Sequence, residues 1–254
     1  MFNLKSLVRP NIFELKPYSS ARDEFSGDEG VFLDANENPF GTLNRYPDSY
    51  QKELKQKLSV YKNIPTENIF IGNGSDEIID LSYRIFCNPG VDKALTFTPT
   101  FGMYQVAADI NNIELIKQPL IRDFQIDIER LKPLLKKDEN LKIIFICSPN
   151  NPTGNSINTI EIEFILQNFK GIVIIDEAYI DFSSKESFIK KINNYNNLIV
   201  SQTFSKAWGL AGVRVGMAYA NAKIIKLYNR VKPPYNVSSL NQEAVSKLLE
   251  NNRE

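Results

Sequence analysis

A chain of 254 residues with 30 basic and 30 acidic side chains has no formal net charge, so no cationic excess draws it to nucleic acid or to an anionic membrane. Its apolar share of 43% and charged share of 24% are those of a globular protein with a sizeable core. It has no histidine, which removes the commonest general base and the commonest metal ligand, and its two cysteines, Cys87 and Cys147, fit no metal spacing. Those cysteines read as buried thiols in a reducing compartment. Residues 1–10 lack a long apolar stretch, and the runs at 143–147 and 172–175 are too short to cross a bilayer. A cytoplasmic protein without a membrane or nucleic-acid partner is therefore expected.

In chain order, a short apolar run at 31–33 is the first expected strand, and 49–60 the first expected helix. The apolar run 69–71 leads into Gly72-Asn73-Gly74-Ser75-Asp76-Glu77 and a helix at 76–86. Glycines let the backbone approach a ligand closely, and the free N–H groups of a first helical turn face an anion. Gly74, Ser75 and Asp76 could hold a phosphate in this way. The same pattern also describes an ordinary strand-to-helix turn with a Ser or Asp cap.

A strand at 94–98 runs into Pro99-Thr100-Phe101-Gly102-Met103-Tyr104 and a helix at 104–109. Phe101 could stack on a flat ring or fill the core. A strand at 113–117 and a helix at 128–135 follow. The strand 143–147 ends in Ser148-Pro149-Asn150-Asn151-Pro152-Thr153-Gly154. Prolines fix this turn, and the Asn151 amide would point into the crevice beyond the strand ends, where open α/β sheets bind ligands.

After a helix at 159–169, the strand 172–176 ends in Asp176-Glu177-Ala178-Tyr179. A carboxylate at the end of an apolar run is costly unless it meets a cation. A protonated pyridine nitrogen is such a cation, and Tyr179 could bond the hydroxyl of the same ring. A short helix is expected at 185–192.

The strand 198–203 opens Ser205-Lys206-Ala207-Trp208-Gly209-Leu210-Ala211-Gly212-Val213-Arg214, followed by a strand at 216–220 and helices at 222–231 and 241–250. One lysine stands here among hydroxyls, glycines and a single arginine. Positive neighbours and partial burial favour the neutral amine that attacks an aldehyde. Thr203, Ser205 and the fork of Arg214 suit a phosphate. A lysine nucleophile beside a phosphate site suggests pyridoxal phosphate held through a Schiff base. Strand–helix alternation with near-continuous apolar strands argues an α/β fold with a largely parallel sheet, covered on both faces.

These motifs resemble those of the fold-type-I, pyridoxal-phosphate-dependent aminotransferases of class I/II. The lysine segment, the Asn-Pro-Thr-Gly turn and the Asp-Glu-Ala-Tyr turn carry that resemblance. The match extends to Tyr235-Asn236-Val237-Ser238, and Leu15-Lys16-Pro17-Tyr18, Asn36-Glu37-Asn38 and Arg45-Tyr46-Pro47 resemble the family's histidinol-phosphate branch.

The resemblance implies a sheet of about seven strands between helices, with an N-terminal arm and part of a small domain over 1–40 and a large cofactor-binding domain over 41–254. A C-terminal small domain, which in the family supplies an arginine for the substrate carboxylate, is expected to be missing, and transamination to be poor without it. Lys206, Asp176 and Tyr179 become the catalytic group. Gly74, Ser75, Asp76, Phe101, Asn151, Thr203, Ser205 and Arg214 become cofactor ligands. Tyr46 would reach the phosphate of a neighbouring subunit, which implies a homodimer, while Tyr18 and Asn36 take substrate-side positions. The implied reaction moves an amine between L-histidinol phosphate and 2-oxoglutarate, with glutamate as product. Threonine-phosphate decarboxylase, an aromatic aminotransferase or a weakly active cofactor-binding fragment are the alternatives.

Overall fold

The computed structural model describes residues 2–18, 30–31 and 33–251. Seven strands form one sheet in the order β1-β7-β6-β5-β4-β2-β3. They are β1 Ile69–Asn73, β2 Lys93–Thr98, β3 Glu114–Pro119, β4 Leu141–Cys147, β5 Ile172–Asp176, β6 Leu198–Thr203 and β7 Val215–Ala220. Pairing is parallel from β3 through β6, whereas β7 lies antiparallel to both β6 and β1. The expected parallel sheet thus holds with one reversed strand.

The central strands are apolar on both faces because both faces are covered. Alternate side chains of β5 feed opposite cores, Ile172 and Ile174 on one side and Val173 and Ile175 on the other. All four have no exposed surface. Each such burial stabilises by roughly 1.5–3 kcal/mol, and truncating one to alanine would cost about 2–5 kcal/mol.

Helices complete the two layers. α1 Leu4–Leu7, α2 Pro10–Glu14, α4 Ser75–Phe86, α5 Met103–Ile110 and α8 Ala222–Val231 lie in chain order with α3 Lys52–Lys62, α6 Ile128–Lys137, α7 Thr159–Asn168 and α9 Ser239–Asn251. Ile78 and Tyr83 of α4, Tyr104 of α5 and Tyr228 of α8 share one core with Val8 and Ile12. Leu54 and Leu58 of α3, Leu131 of α6, Ile162 of α7 and Val245 of α9 share the other.

Three expectations change. Residues 31 and 33 are not strand and are 87% and 80% exposed; three apolar residues form no strand without a neighbour to pair with. The helix expected at 185–192 shrinks to a 3₁₀ turn, Phe188–Lys191, that tucks Phe188 and Ile189 into the core. α3 begins at Lys52 rather than 49, because Gln51 takes a left-handed conformation at φ 49°. The short helices α1 and α2 lie within the region read as an arm.

Cys87 and Cys147 are free and buried, and burial pushes the Cys147 thiol up to about 12. Among the described residues no helix is long and apolar enough to cross a membrane, and no cluster of metal-ligating side chains occurs.

Candidate active site

The carboxyl ends of six strands and the start of the reversed β7 meet at one edge of the sheet. Asp176 closes β5, level with Cys147 of β4 and Ser201 of β6. It is 3% exposed and held twice. The Tyr104 hydroxyl donates to Oδ2 at 2.7 Å, and the Ala178 N–H donates to Oδ1 at 3.1 Å. Burial raises the Asp176 carboxyl above its ordinary value; these two bonds oppose the rise, as does the charge of Lys206. Glu177, next in sequence, serves the scaffold. It accepts from Ser187 Oγ at 2.5 Å, from the Phe188 N–H at 2.7 Å and from Gln202 Nε2 at 2.9 Å, which braces the ends of β5 and β6.

The Asn-Asn turn after β4 divides its work. Asn150 is buried and donates to the Pro99 carbonyl at 2.9 Å and to Thr153 Oγ1 at 2.7 Å, while accepting from Thr100 Oγ1 at 3.0 Å. That locks the turn to the loop carrying Phe101. Asn151 is left to face Tyr179, its Nδ2 lying 3.5 Å from the Tyr179 hydroxyl. The two groups expected to share one ring oxygen are therefore adjacent.

The lysine loop leaves β6 through buried Phe204 and is pinned by Trp208, whose Nε1 donates to Asp181 at 3.0 Å. Lys206 Nζ stands 5.5 Å from the centre of the Tyr179 ring. Lys206 is an exposed residue, which corrects the expectation of partial burial. It lines the same cavity as Asp176 and Tyr179.

Gly74 caps α4 at φ 78° with no side-chain cap, and Ser75 and Asp76 of the first turn line the cavity. Arg214 adopts a left-handed conformation at φ 55° and brings its Nη2 to 3.5 Å from Asp76 Oδ2. Thr203 Oγ1 lies 3.0 Å from Ser205 Oγ. Two glycines make this closure fit. A Cβ on Gly74 would sit 2.7 Å from Arg214 Nη2, and one on Gly216 would sit 2.4 Å from the Ser75 nitrogen.

Ser75, Asp76, Thr203, Ser205 and Arg214 line one end of a single cavity, and Phe101, Asp176, Tyr179 and Lys206 line the rest. Gly74 backs that cavity and Asn151 reaches it through Tyr179. Three other expected site residues lie elsewhere. Tyr46 stacks on Tyr235 with ring centres 4.4 Å apart, and its N–H donates to Glu37 Oε1 at 2.6 Å. Asn36, at φ 54°, shares a shallow groove with Tyr46. Tyr18 is 63% exposed, beside Tyr50 and Lys232.

Tyr104, Cys147, Ala178 and Gly216 belong to the site and were not anticipated. The one local signal for Tyr104 is its place three residues after Phe101 at a helix start.

Fold and site together define a class of lysine-bearing α/β transferases. The model of the aminotransferase class I and II family matches residues 26–254, and the chain belongs to that family. A curated relative from Parabacteroides distasonis, named histidinol-phosphate aminotransferase, is 56% identical over 250 residues, which are 98% of this chain and 72% of that protein. Among solved structures, the histidinol-phosphate aminotransferase of Clostridium acetobutylicum matches with a TM-score of 0.71 at 26% identity, over 82% of this chain and 64% of that one. The Sinorhizobium meliloti enzyme of the same name, solved with pyridoxal-5'-phosphate, shares the fold with a TM-score of 0.75 at 23% identity, over 82% of this chain and 57% of that one. This chain thus spans less than two thirds of either solved relative.

The donor set fits pyridoxal phosphate. A buried carboxylate, an aromatic face, a phenol–amide pair, an amine, and an arginine beside a helix start face one small cavity. The backbone around Gly74 and Gly216 is already as close as the heavy atoms permit.

Proposed function

We propose that this chain carries the cofactor-binding centre of a histidinol-phosphate transaminase. The observation that carries this reading is one cavity with Asp176 sealed at its floor, Lys206 at its mouth, and Arg214 with the start of α4 at its far end. The name shared by the relatives supports histidinol phosphate as the substrate. When bound there, pyridoxal phosphate supplies an aldehyde that takes and returns an amine and a ring that accepts an electron pair.

The chain's own residues do the rest. Asp176 would meet the ring nitrogen and favour its protonated form. Asn151 Nδ2 and the Tyr179 hydroxyl would hold the ring oxygen, and Phe101 would cover the ring. The first-turn N–H groups of Ser75 and Asp76, the hydroxyls of Thr203 and Ser205, and the Arg214 fork hold the phosphate ester. Lys206 Nζ would be the amine that takes the cofactor's aldehyde and the group that holds the proton moved from the substrate. The sequence offers no histidine for that role.

Tyr46 stacks outside its own cavity, which supports a contribution to the phosphate site of a second copy, and so a homodimer. Asn36, in the same groove, and Tyr18 are assigned to the substrate side of that assembly. The amine passes from L-histidinol phosphate to 2-oxoglutarate in two half-reactions, within the cytoplasm.

The test separates those halves. Cofactor-loaded protein given L-histidinol phosphate should release imidazole-acetol phosphate, and added 2-oxoglutarate should then yield glutamate. L-Threonine phosphate and L-phenylalanine serve as competing donors. Faster turnover of either one, or carbon dioxide release from threonine phosphate, overturns the substrate assignment. Borohydride reduction followed by peptide mass spectrometry should place a pyridoxyl group on Lys206; its absence overturns the site.

A further inference from the structure

We propose that Tyr104 is a positioning residue for the cofactor ring: its hydroxyl fixes the orientation and charge of Asp176, the carboxylate that meets the ring nitrogen. This rests on the functional reading above and adds a residue to it. The bond from the Tyr104 hydroxyl to Asp176 Oδ2 measures 2.7 Å, with Tyr104 wholly buried and Asp176 3% exposed. With the Ala178 N–H on Oδ1, each carboxylate oxygen has one protein donor, so the plane of the group is set. Each oxygen keeps lone-pair capacity for the ring.

Tyr104 is itself held rigidly. Its ring stacks on Phe145 with centres 4.9 Å apart at 18°, and its carbonyl accepts from the Tyr83 hydroxyl at 2.9 Å. It also meets Phe101 edge-on at 5.8 Å and 88°. One side chain therefore supports two of the protein groups assigned to the ring, the acid at its nitrogen and the aromatic on its face.

Burial keeps the Tyr104 phenol well above its ordinary value, so it stays a proton donor across the working range. The other groups acting on the pair are few. Cys147 of β4 stays a neutral thiol, pushed up to about 12 by its burial. Asp76 at the start of α4 raises the Asp176 carboxyl and Lys206 after β6 lowers it. Removing the phenol leaves burial opposed mainly by the Ala178 N–H and Lys206. The carboxyl should then protonate more readily, and a neutral acid no longer favours a protonated ring nitrogen.

Two substitutions at this position test it. Tyr104→Phe removes the donor and keeps the ring. Replacing Tyr104 by 3-fluorotyrosine keeps the shape and strengthens the donor. The Asp176 carboxyl is followed by carbon-13 NMR across pH in protein without cofactor. The pyridoxal phosphate dissociation constant and the borohydride adduct on Lys206 are measured in parallel.

Tyr104→Phe should move the Asp176 midpoint up by roughly one pH unit and weaken cofactor binding about tenfold, with the Lys206 adduct still formed. The fluorinated protein should move the midpoint down. A purely structural tyrosine would change stability without moving the midpoint in opposite directions in the two proteins. An unmoved midpoint in both, with the adduct intact, overturns the proposal alone. No adduct in the unsubstituted chain overturns the functional reading beneath it.

Discussion

The edge of the sheet at β4–β7 and the segment before α3 are both assigned to catalysis, yet they are built in opposite ways. At the sheet edge the assigned side chains line one cavity or, like Asn151, touch one that does, held by strand register and by bonds such as Tyr104 to Asp176. In the segment before α3, Tyr18, Asn36 and Tyr46 are exposed and stand outside that cavity. A parallel sheet supplies convergence by itself, because its strand ends share one edge. The described residues of that segment pair with no strand, and they fit the proposed catalytic reading only if a second copy supplies the frame.

Lys206→Ala tests the sheet-edge half most severely. Loss of the amine should abolish the borohydride adduct and lower kcat by about three orders of magnitude or more, measured by release of imidazole-acetol phosphate. Retention of activity within tenfold would move the reaction away from the lysine loop.

Asp176→Asn comes next, and it should separate function from stability. Its carboxyl is raised by burial, so the charged form is disfavoured in the folded chain. A group raised in this way withdraws stability as pH climbs from its unfolded value of about 3.9 through its folded value, and the cost persists above both. The neutral amide removes that cost. The variant should melt no lower than the parent at pH 8 and lose its relative advantage in acid, while kcat falls about a hundredfold or more. A lower melting temperature at pH 8 with full activity would invert the comparison.

Gly216→Ala acts through packing. The added methyl would press on the Ser75 nitrogen, so the turn must move; a loss of about 1–3 kcal/mol in denaturant unfolding is expected, with cofactor affinity falling as well. Unchanged affinity would detach the start of α4 from the phosphate site.

The smallest effect tests the other half. Tyr46→Phe should lower cofactor affinity by up to about tenfold in the dimer and leave folding unchanged, since only a hydroxyl is removed. Mixing Tyr46→Ala subunits with Lys206→Ala subunits should restore activity that neither has alone. Failure to complement, with mixed dimers present, would return Tyr46 to a local stacking role on Tyr235.

Much of the sheet-edge half was legible because its signals are local. Lys206 among hydroxyls, the Asn-Asn turn and an aspartate ending an apolar run each occupy a few consecutive residues, and several of the strands, β4 and β5 above all, follow from continuous apolar runs. What escaped depends on contacts between distant parts. Tyr104 and Asp176 are separated by 72 positions, and nothing near either names the other. Gly216 looked like an ordinary strand residue until the Ser75 nitrogen was found against it. The run at 31–33 looked like a strand because composition carries no record of whether a pairing partner exists.

The order of apolar runs and turn residues by itself determined the alternating architecture, the family resemblance and the chemistry of the cavity, because helix starts, strand ends and turns are specified by neighbours along the chain. Only the tertiary structure decided that β7 runs backward, that Lys206 lies open, and that a buried phenol donates to Asp176. Those outcomes depend on which groups exclude water from one another, and that is settled when the sheet closes between its two layers of helices.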